Sequence, residues 1–332
     1  MTKPRIAVIG TGGTISSVGR HSLELAEYVN HKTIYTVDEL LERIPEVDTV
    51  AEVVKVPFAA IASTAIGPNE WVALAVKIEE VIAADSTIAG VVVTHGTASL
   101  EETAYFLNLT LRVSVPVVIV GAQRPATAIS ADGPINLVNA LRTAGSPAAR
   151  GQGVLVVLND EIQAAREVTK TSTLRMQTFR TPDFGVLGHA DADNIMFYRA
   201  PVRRRAPNTE FIVSAGTTLP RVDIVYSYGG ADGKDVDAFV AAGAKGIVAA
   251  GFAPGLLPPE QLAALSRASN AGIAVVQSSR VGSGRVVTLE TMQPTDSIPA
   301  DNLTPQKARV LLMLGLHQTT DRSELRRFFE EY

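Results

Sequence analysis

The sequence has 332 residues, of which 46% are hydrophobic and 19% charged, and a formal net charge of −4. This length is more than a single hydrophobic core usually holds, and the composition excludes a long disordered protein. The acidic balance, with Arg203-Arg204-Arg205 as the one basic run, argues against a nucleic-acid partner.

Buried strands alternating with helices are predicted along the first 200 residues. Continuous apolar runs predict strands at 5–9, 90–94, 116–120 and 153–158, and helical periodicity predicts helices at 70–84, 99–111 and 134–144. Apolar runs without alternation are typical of strands that are covered on both faces. The order therefore predicts an α/β domain with a parallel sheet at 1–200.

The pattern changes near residue 200 and then restarts. Residues 200–220 contain three Pro, the triple Arg and a Ser/Gly/Thr cluster, so we interpret 201–219 as a linker. Further strands are predicted at 222–228, 246–250 and 273–277, and helices at 235–242, 258–269, 305–315 and 322–331, with Ser323 as the cap of the last helix. The sequence thus predicts a second, smaller α/β domain at 220–332.

The residue inventory limits the chemistry and the location. The absence of cysteine excludes disulfides and a cysteine nucleophile, and the 5 His lack the spacing of a metal motif. No stretch approaches about 18 apolar residues, and the start of the chain lacks the apolar region of a signal peptide. We therefore expect a soluble cytoplasmic protein without a bound metal and without membrane association.

Small, hydroxylic or charged residues follow four predicted strands, at the ends where α/β sheets bind ligands. They are the segments 10–14 (GTGGT), 94–97 (THGT), 121–125 (GAQRP) and, after the fourth strand, 159–160 (ND) with 167–171 (EVTKT). GTGGT fails the dinucleotide pattern because residue 15 is Ile, so we expect no nicotinamide or flavin cofactor. A serine-hydrolase elbow is also disfavoured, since GxSxG is absent.

Each of these residues also has an ordinary structural interpretation. THGT can be a tight turn with a capping Thr, and Lys170 and Tyr28 can be surface residues. Asp160 and Glu167 can be turn or capping carboxylates. The combination of two threonines with a lysine favours chemistry instead, because a threonine hydroxyl needs a base and a lysine among hydroxyls has a lowered pKa. Neighbouring glycines allow a substrate to approach backbone N–H groups that can hold an oxyanion.

These motifs resemble the signatures of the bacterial-type L-asparaginase/glutaminase family, over essentially the whole chain. The resemblance rests on residues 9–15 (IGTGGTI), 93–97 (VTHGT), 100–107 (LEETAYFL), 121–125 (GAQRP), 130–134 (SADGP), 168–171 (VTKT), 278–281 (SSRV) and 305–309 (PQKAR). It implies a two-domain asparaginase-like fold and hydrolysis of a small amide with release of ammonia. It also implies a homotetramer or homodimer in which the N-terminal domain of one subunit and the C-terminal domain of another share each active site.

The resemblance implies a role for individual residues. Thr14 is the expected nucleophile, and Tyr28, with Tyr35 as the competing candidate, is the expected lid tyrosine that activates it. Thr97 and Lys170 are expected to handle protons as a pair. Ser63 is expected to bind a substrate carboxylate, with Gly96 beside it.

The chain departs from the family pattern around the substrate amino group. Ala98 follows THGT where the family has Asp, Thr64 follows Ser63 where the family has Gln, and Pro254 replaces an expected Asn. Glu290 is expected to supply a carboxylate from a neighbouring subunit. An ammonium without a carboxylate partner is costly to bind, so we hypothesise an amide other than L-asparagine. A genuine L-asparaginase and a non-catalytic small-molecule sensor on the same fold are the alternatives.

Overall fold

The computed structural model describes residues 3–31 and 33–332, which form two compact units, Met1–Gly216 and Thr217–Tyr332. The predicted linker at 201–219 lies mostly within the first unit. There the N–H of Ala206 donates to the Asn108 carbonyl at 2.9 Å, and Phe211 is buried. Among the described residues, no helix combines the length and apolar character needed to span a bilayer.

Ten strands lie in the described part of the first unit. In chain order they are β1 (Arg5–Gly10), β2 (Glu52–Pro57), β3 (Ile88–Thr94), β4 (Val117–Val120), β5 (Val154–Leu158), β6 (Glu161–Ala164), β7 (Thr169–Lys170), β8 (Phe179–Arg180), β9 (Gly188–Ala190) and β10 (Ile195–Phe197). Eight of them form one sheet in the order β10-β9-β6-β5-β4-β3-β1-β2, while β7 and β8 pair separately. The helices are α1 (Val37–Glu42), α2 (Val47–Val50), α3 (Pro68–Ala84), α4 (Leu100–Thr110) and α5 (Gly133–Gly145).

The large sheet is mixed, where the sequence predicted a parallel one. The strands from β2 to β5 run parallel, whereas β6, β9 and β10 pair antiparallel. The reversal occurs at Asn159 and Asp160, whose φ angles are 53° and 63°. Two successive residues with positive φ make the two-residue turn of a β-hairpin, so these residues turn the chain back antiparallel from β5 into β6.

The second unit is a smaller, parallel α/β layer. Its strands β11 (Val222–Tyr226), β12 (Gly246–Gly251), β13 (Ala274–Ser279) and β14 (Ile298–Pro299) lie in sequence order. Its helices are α6 (Lys234–Ala241), α7 (Pro259–Asn270), α8 (Pro305–Gln318) and α9 (Arg322–Glu331). Helices α6 and α7 share a core with β11, β12 and β13.

The two-domain α/β fold is confirmed, and each predicted strand and helix is present with ends shifted by no more than three residues. The predicted cap of α9 was wrong. Asp321 is the N-cap, and its carboxylate accepts the N–H of Ser323 at 2.8 Å. A carboxylate directly before the first helical residue is the better acceptor for that orphan N–H group.

Candidate active site

A cavity of about 450 Å³ lies in the first unit. Its walls come from the segments that follow β1, β2 and β3 in the chain, from the loop that contains Tyr28, and from Lys170 on β7. Such a position beyond the carboxyl ends of parallel strands is where α/β sheets bind ligands. Most of the residues predicted to form a site therefore surround one space.

Thr14 and Tyr28 form the first hydroxyl pair of the cavity. Thr14 begins a short 3-10 helix after β1, and its Oγ1 lies 3.0 Å from Oη of Tyr28. Tyr35, the competing candidate, instead packs against the core of the unit and has the guanidinium of Arg43 4.1 Å from its ring centre. Tyr28 is therefore the tyrosine that lies against Thr14.

Thr97 and Lys170 form the second pair. Nζ of Lys170 donates a hydrogen bond to Oγ1 of Thr97 at 2.8 Å. Partial burial lowers the pKa of Lys170 below its usual 10.5, while the nearby Glu101 carboxylate opposes this shift. Because burial favours the neutral amine, Lys170 is suited to accept a proton through the Thr97 hydroxyl.

The two threonine loops meet at a pair of glycines. Gly13 has a φ of 88°, and a Cβ on it would lie 2.2 Å from Cα of Gly96. A Cβ on Gly96 would in turn lie 2.5 Å from Oγ of Ser63. Side chains at either glycine would push the loops apart, so these glycines set the spacing between the two hydroxyl pairs.

A buried histidine supports the second loop. Nδ1 of His95 lies 2.8 Å from the Gly96 carbonyl, which can only accept, so Nδ1 carries the proton. Nε2 then accepts from the Thr103 hydroxyl at 2.9 Å, and Thr103 accepts from Nε1 of Trp71 at 3.0 Å. Complete burial lowers the pKa of His95 to about 4, which keeps the ring neutral. This chain of hydrogen bonds was not predicted from the sequence, because its members lie on α3, on α4 and directly after β3.

The predicted substrate-binding residues divide between the two units. Ser63, Thr64 and Ala98 line the cavity. The backbone N–H of Ala98 donates to Oγ of Ser63 at 3.3 Å, which leaves the serine proton available for a ligand. Glu290 is exposed at the start of the 3-10 helix Glu290–Thr295 in the second unit.

Lys170 is the only charged side chain among the described residues that line the cavity. No carboxylate of the first unit is therefore available within this lining to pair with a ligand ammonium. In the part of the chain described, at 3–31 and 33–332, no three His, Asp or Glu side chains are grouped as metal ligands would be.

Two other motifs have structural roles. The Asp132 carboxylate accepts the N–H groups of Gln123 and Arg124 at 2.8 and 2.9 Å, which fixes the loop after β4. Glu167 forms an ion pair with Arg199 at 2.6 Å. Sequence position alone could not separate these carboxylates from catalytic ones.

Comparison with known proteins places both units in one family. The family model described as "Asparaginase, N-terminal" matches residues 5–203, and the model "Glutaminase/Asparaginase C-terminal domain" matches residues 221–329. Together they cover nearly all of both units.

Individual relatives agree with the family models. L-asparaginase 2 of Bacillus subtilis (strain 168) is 43% identical over 329 residues, which cover 99% of this chain and 87% of the relative. A glutaminase-asparaginase of Pseudomonas fluorescens biotype A is 38% identical over 337 residues, covering 100% and 92%. The crystal structure of a probable cytoplasmic L-asparaginase from Campylobacter jejuni has a TM-score of 0.94 and 41% identity, covering 99% of this chain and 100% of that one.

Proposed function

Because this chain belongs to the bacterial-type asparaginase/glutaminase family and is an amidohydrolase, we propose that it releases ammonia from a small carboxylate-bearing amide through an acyl-enzyme on Thr14. The observation that carries this proposal is that two hydroxyl pairs open to one cavity. Thr14 lies 3.0 Å from Tyr28, and Thr97 accepts from Lys170 at 2.8 Å.

The two pairs divide the reaction into two steps. Tyr28 lies within hydrogen-bonding distance to take the Thr14 proton as Oγ1 attacks the amide carbonyl. The tetrahedral intermediate then expels the nitrogen, which takes up the proton held by Tyr28 and leaves as ammonia, and an ester on Thr14 results. In the second step a water molecule attacks the ester, and the Thr97–Lys170 pair takes a proton from it. The bond between the acyl carbon and Oγ1 of Thr14 then breaks, the oxygen regains a proton from the active-site groups, and the carboxylic acid product is released.

The binding side of the cavity supports an altered substrate. The Ser63 hydroxyl is placed to donate to a ligand carboxylate. Ala98 and Thr64 present no negative charge where an α-ammonium would need one, and desolvating an unpaired ammonium costs several kcal/mol. We therefore propose a substrate that lacks a free α-amine or presents it differently.

L-asparagine is the second candidate substrate. The near full-length relatives named L-asparaginase favour it. This reading requires Glu290 of a neighbouring subunit to pair with the ammonium alone. A non-catalytic sensor is not retained, since the chain is an amidohydrolase.

Ammonia release by the purified protein tests the reaction and the substrate together. The panel contains L-asparagine, D-asparagine, L-glutamine, succinamate and several N-acyl or cyclic amides, with Thr14→Ala as the control. We expect an amine-free amide to be turned over fastest and Thr14→Ala to be inactive. Fast turnover of asparagine would instead identify an ordinary asparaginase, and activity in Thr14→Ala would remove the nucleophile assignment.

A binding series isolates the amino-group pocket. In the Thr14→Ala background we expect succinamate to bind more tightly than asparagine by calorimetry. We expect Ala98→Asp to reverse this order, because it returns a carboxylate to the cavity, and the uncharged Ala98→Asn variant to leave it unchanged. Tighter binding of asparagine without any substitution would contradict the altered pocket.

Assembly and location complete the proposal. We propose a homodimer or homotetramer in which Glu290 completes the site of another subunit. The solved relative named cytoplasmic supports a cytoplasmic location for this chain as well.

A further inference from the structure

The loop that carries Tyr28 has an inverted arrangement of polar and apolar residues. Glu24 is only 5% exposed, whereas its neighbours Leu23 and Leu25 are 69% and 44% exposed. Burying a carboxylate while leaving leucines in solvent is unfavourable unless the charge is fully paired. The position of Glu24 therefore requires partners within the loop.

Four hydrogen bonds meet at the Glu24 carboxylate. It accepts the Arg20 backbone N–H at 2.5 Å, Nε and Nη2 of Arg20 at 2.9 and 2.6 Å, and Nε2 of His31 at 3.0 Å. These bonds, with Arg20 contributing most, hold the pKa of Glu24 at about 2. The carboxylate is thus ionised at any pH at which an amidase is assayed.

The bond to His31 connects two halves of the loop. The first half is anchored to the loop after β4, because Gly19 N–H donates to Oγ1 of Thr127 at 2.8 Å and Ile129 N–H donates to the Ser22 carbonyl at 2.9 Å. Tyr28 lies in the second half. The Glu24–His31 hydrogen bond joins the two ends of the segment 24–31, which contains Tyr28. It therefore ties Tyr28 to the anchored half of the loop.

We propose that Glu24 is a positioning residue, whose carboxylate holds the loop so that the Tyr28 hydroxyl stays within hydrogen-bonding distance of Thr14. This rests on the proposed roles of Thr14 and Tyr28. Glu24 acts through Tyr28 and makes no contact with the reacting atoms. A displacement of about 1 Å at a reacting group costs on the order of 100-fold in rate, so loosening this loop must slow the reaction.

The matched comparison is Glu24→Gln against Glu27→Gln. Both remove one negative charge from the same loop, but Glu27 is exposed and its carboxylate accepts only a local bond from Asn30 among the described contacts. With the panel amide that the unmodified protein hydrolyses fastest, we expect Glu24→Gln to lower kcat by about 10- to 100-fold, with a smaller change in KM. Glu27→Gln is expected to stay within about twofold, given that surface substitutions are usually nearly neutral.

Two further readouts separate positioning from a general loss of stability. Hydrogen exchange of residues 18–33 is expected to quicken in Glu24→Gln, while exchange of the sheet strands is unchanged. In a double-mutant cycle, Glu24→Gln is expected to add little to the loss caused by Tyr28→Phe, because both changes act on one interaction.

The proposal is overturned if Glu24→Gln keeps the original kcat, if exchange of the loop is unchanged, or if the two losses are additive. Full activity of Tyr28→Phe would overturn it together with the role of Tyr28. Full activity of Thr14→Ala would instead contradict the proposed nucleophile. Hydrogen exchange of the loop and the double-mutant cycle would still test the role of Glu24.

Discussion

Lys170 is the residue whose environment most directly predicts a pH dependence. Burial lowers its pKa below 10.5, and an amine accepts a proton only when neutral, so kcat is expected to rise with pH through this lowered pKa. An arginine at this position stays charged. Lys170→Arg is therefore expected to abolish the rise of kcat with pH and to lower kcat by at least about 100-fold, because general acid–base catalysis contributes on that order. Measuring kcat against pH checks this, with Lys77→Arg on α3, outside the cavity lining, as the control. An unchanged profile in Lys170→Arg would exclude it as the base.

Gly13 gives a second prediction at this scale. Gly13→Ala combines a positive φ with a Cβ placed against Gly96, whereas Gly151 has a φ of 72° and open space around it. Gly151→Ala is therefore expected to lower the free energy of unfolding by about 1–2 kcal/mol through backbone strain alone. Gly13→Ala is expected to lower it by clearly more and to abolish activity. Urea unfolding and ammonia release measure both effects. Equal destabilisation would mean that the two loops can separate without cost.

Among the elements, α3, α4 and β3 are joined by the hydrogen bonds of His95, and this link predicts acid sensitivity. The folded state holds the pKa of His95 at about 4, below its usual value of 6.5, so the unfolded state takes up the proton first as pH falls. Stability is then lost between about pH 6.5 and about pH 4, and the loss from pH 7.5 to pH 5 amounts to about 2 kcal/mol.

The test compares unfolding free energies at these two pH values. His95→Gln is expected to be less stable at pH 7.5 but to lack this part of the pH dependence. His317→Gln, at the exposed end of α8, is expected to retain it. Identical pH dependence in the His95 variant would show that the buried ring does not titrate in this range.

The elements also show what a sequence can predict. Strands β1 and β3 are buried along almost their whole length, so their apolar runs were recognisable, and the loops after them placed Thr14 and Thr97. β2 was not predicted because it is an edge strand with exposed Glu52 and Lys55, which hides the apolar pattern. The burial of Glu24 was not predicted either, since it follows from the path of the loop and not from any local motif.

At the scale of the whole molecule, the proposed sharing of sites between subunits predicts complementation. Suppose that one subunit carries Thr14→Ala and another carries Glu290→Ala, and that each variant alone is inactive towards L-asparagine. In a mixed dimer, one site then contains both substitutions, while the other combines an intact Thr14 with an intact Glu290. Random pairing makes half of the dimers mixed, so co-expression is expected to restore about a quarter of the original activity.

If each site belonged to a single chain, no mixture would exceed the sum of its inactive parents. Activity of Glu290→Ala by itself would show that this carboxylate is dispensable, and the described residues that line the cavity offer no other carboxylate to the ammonium of L-asparagine.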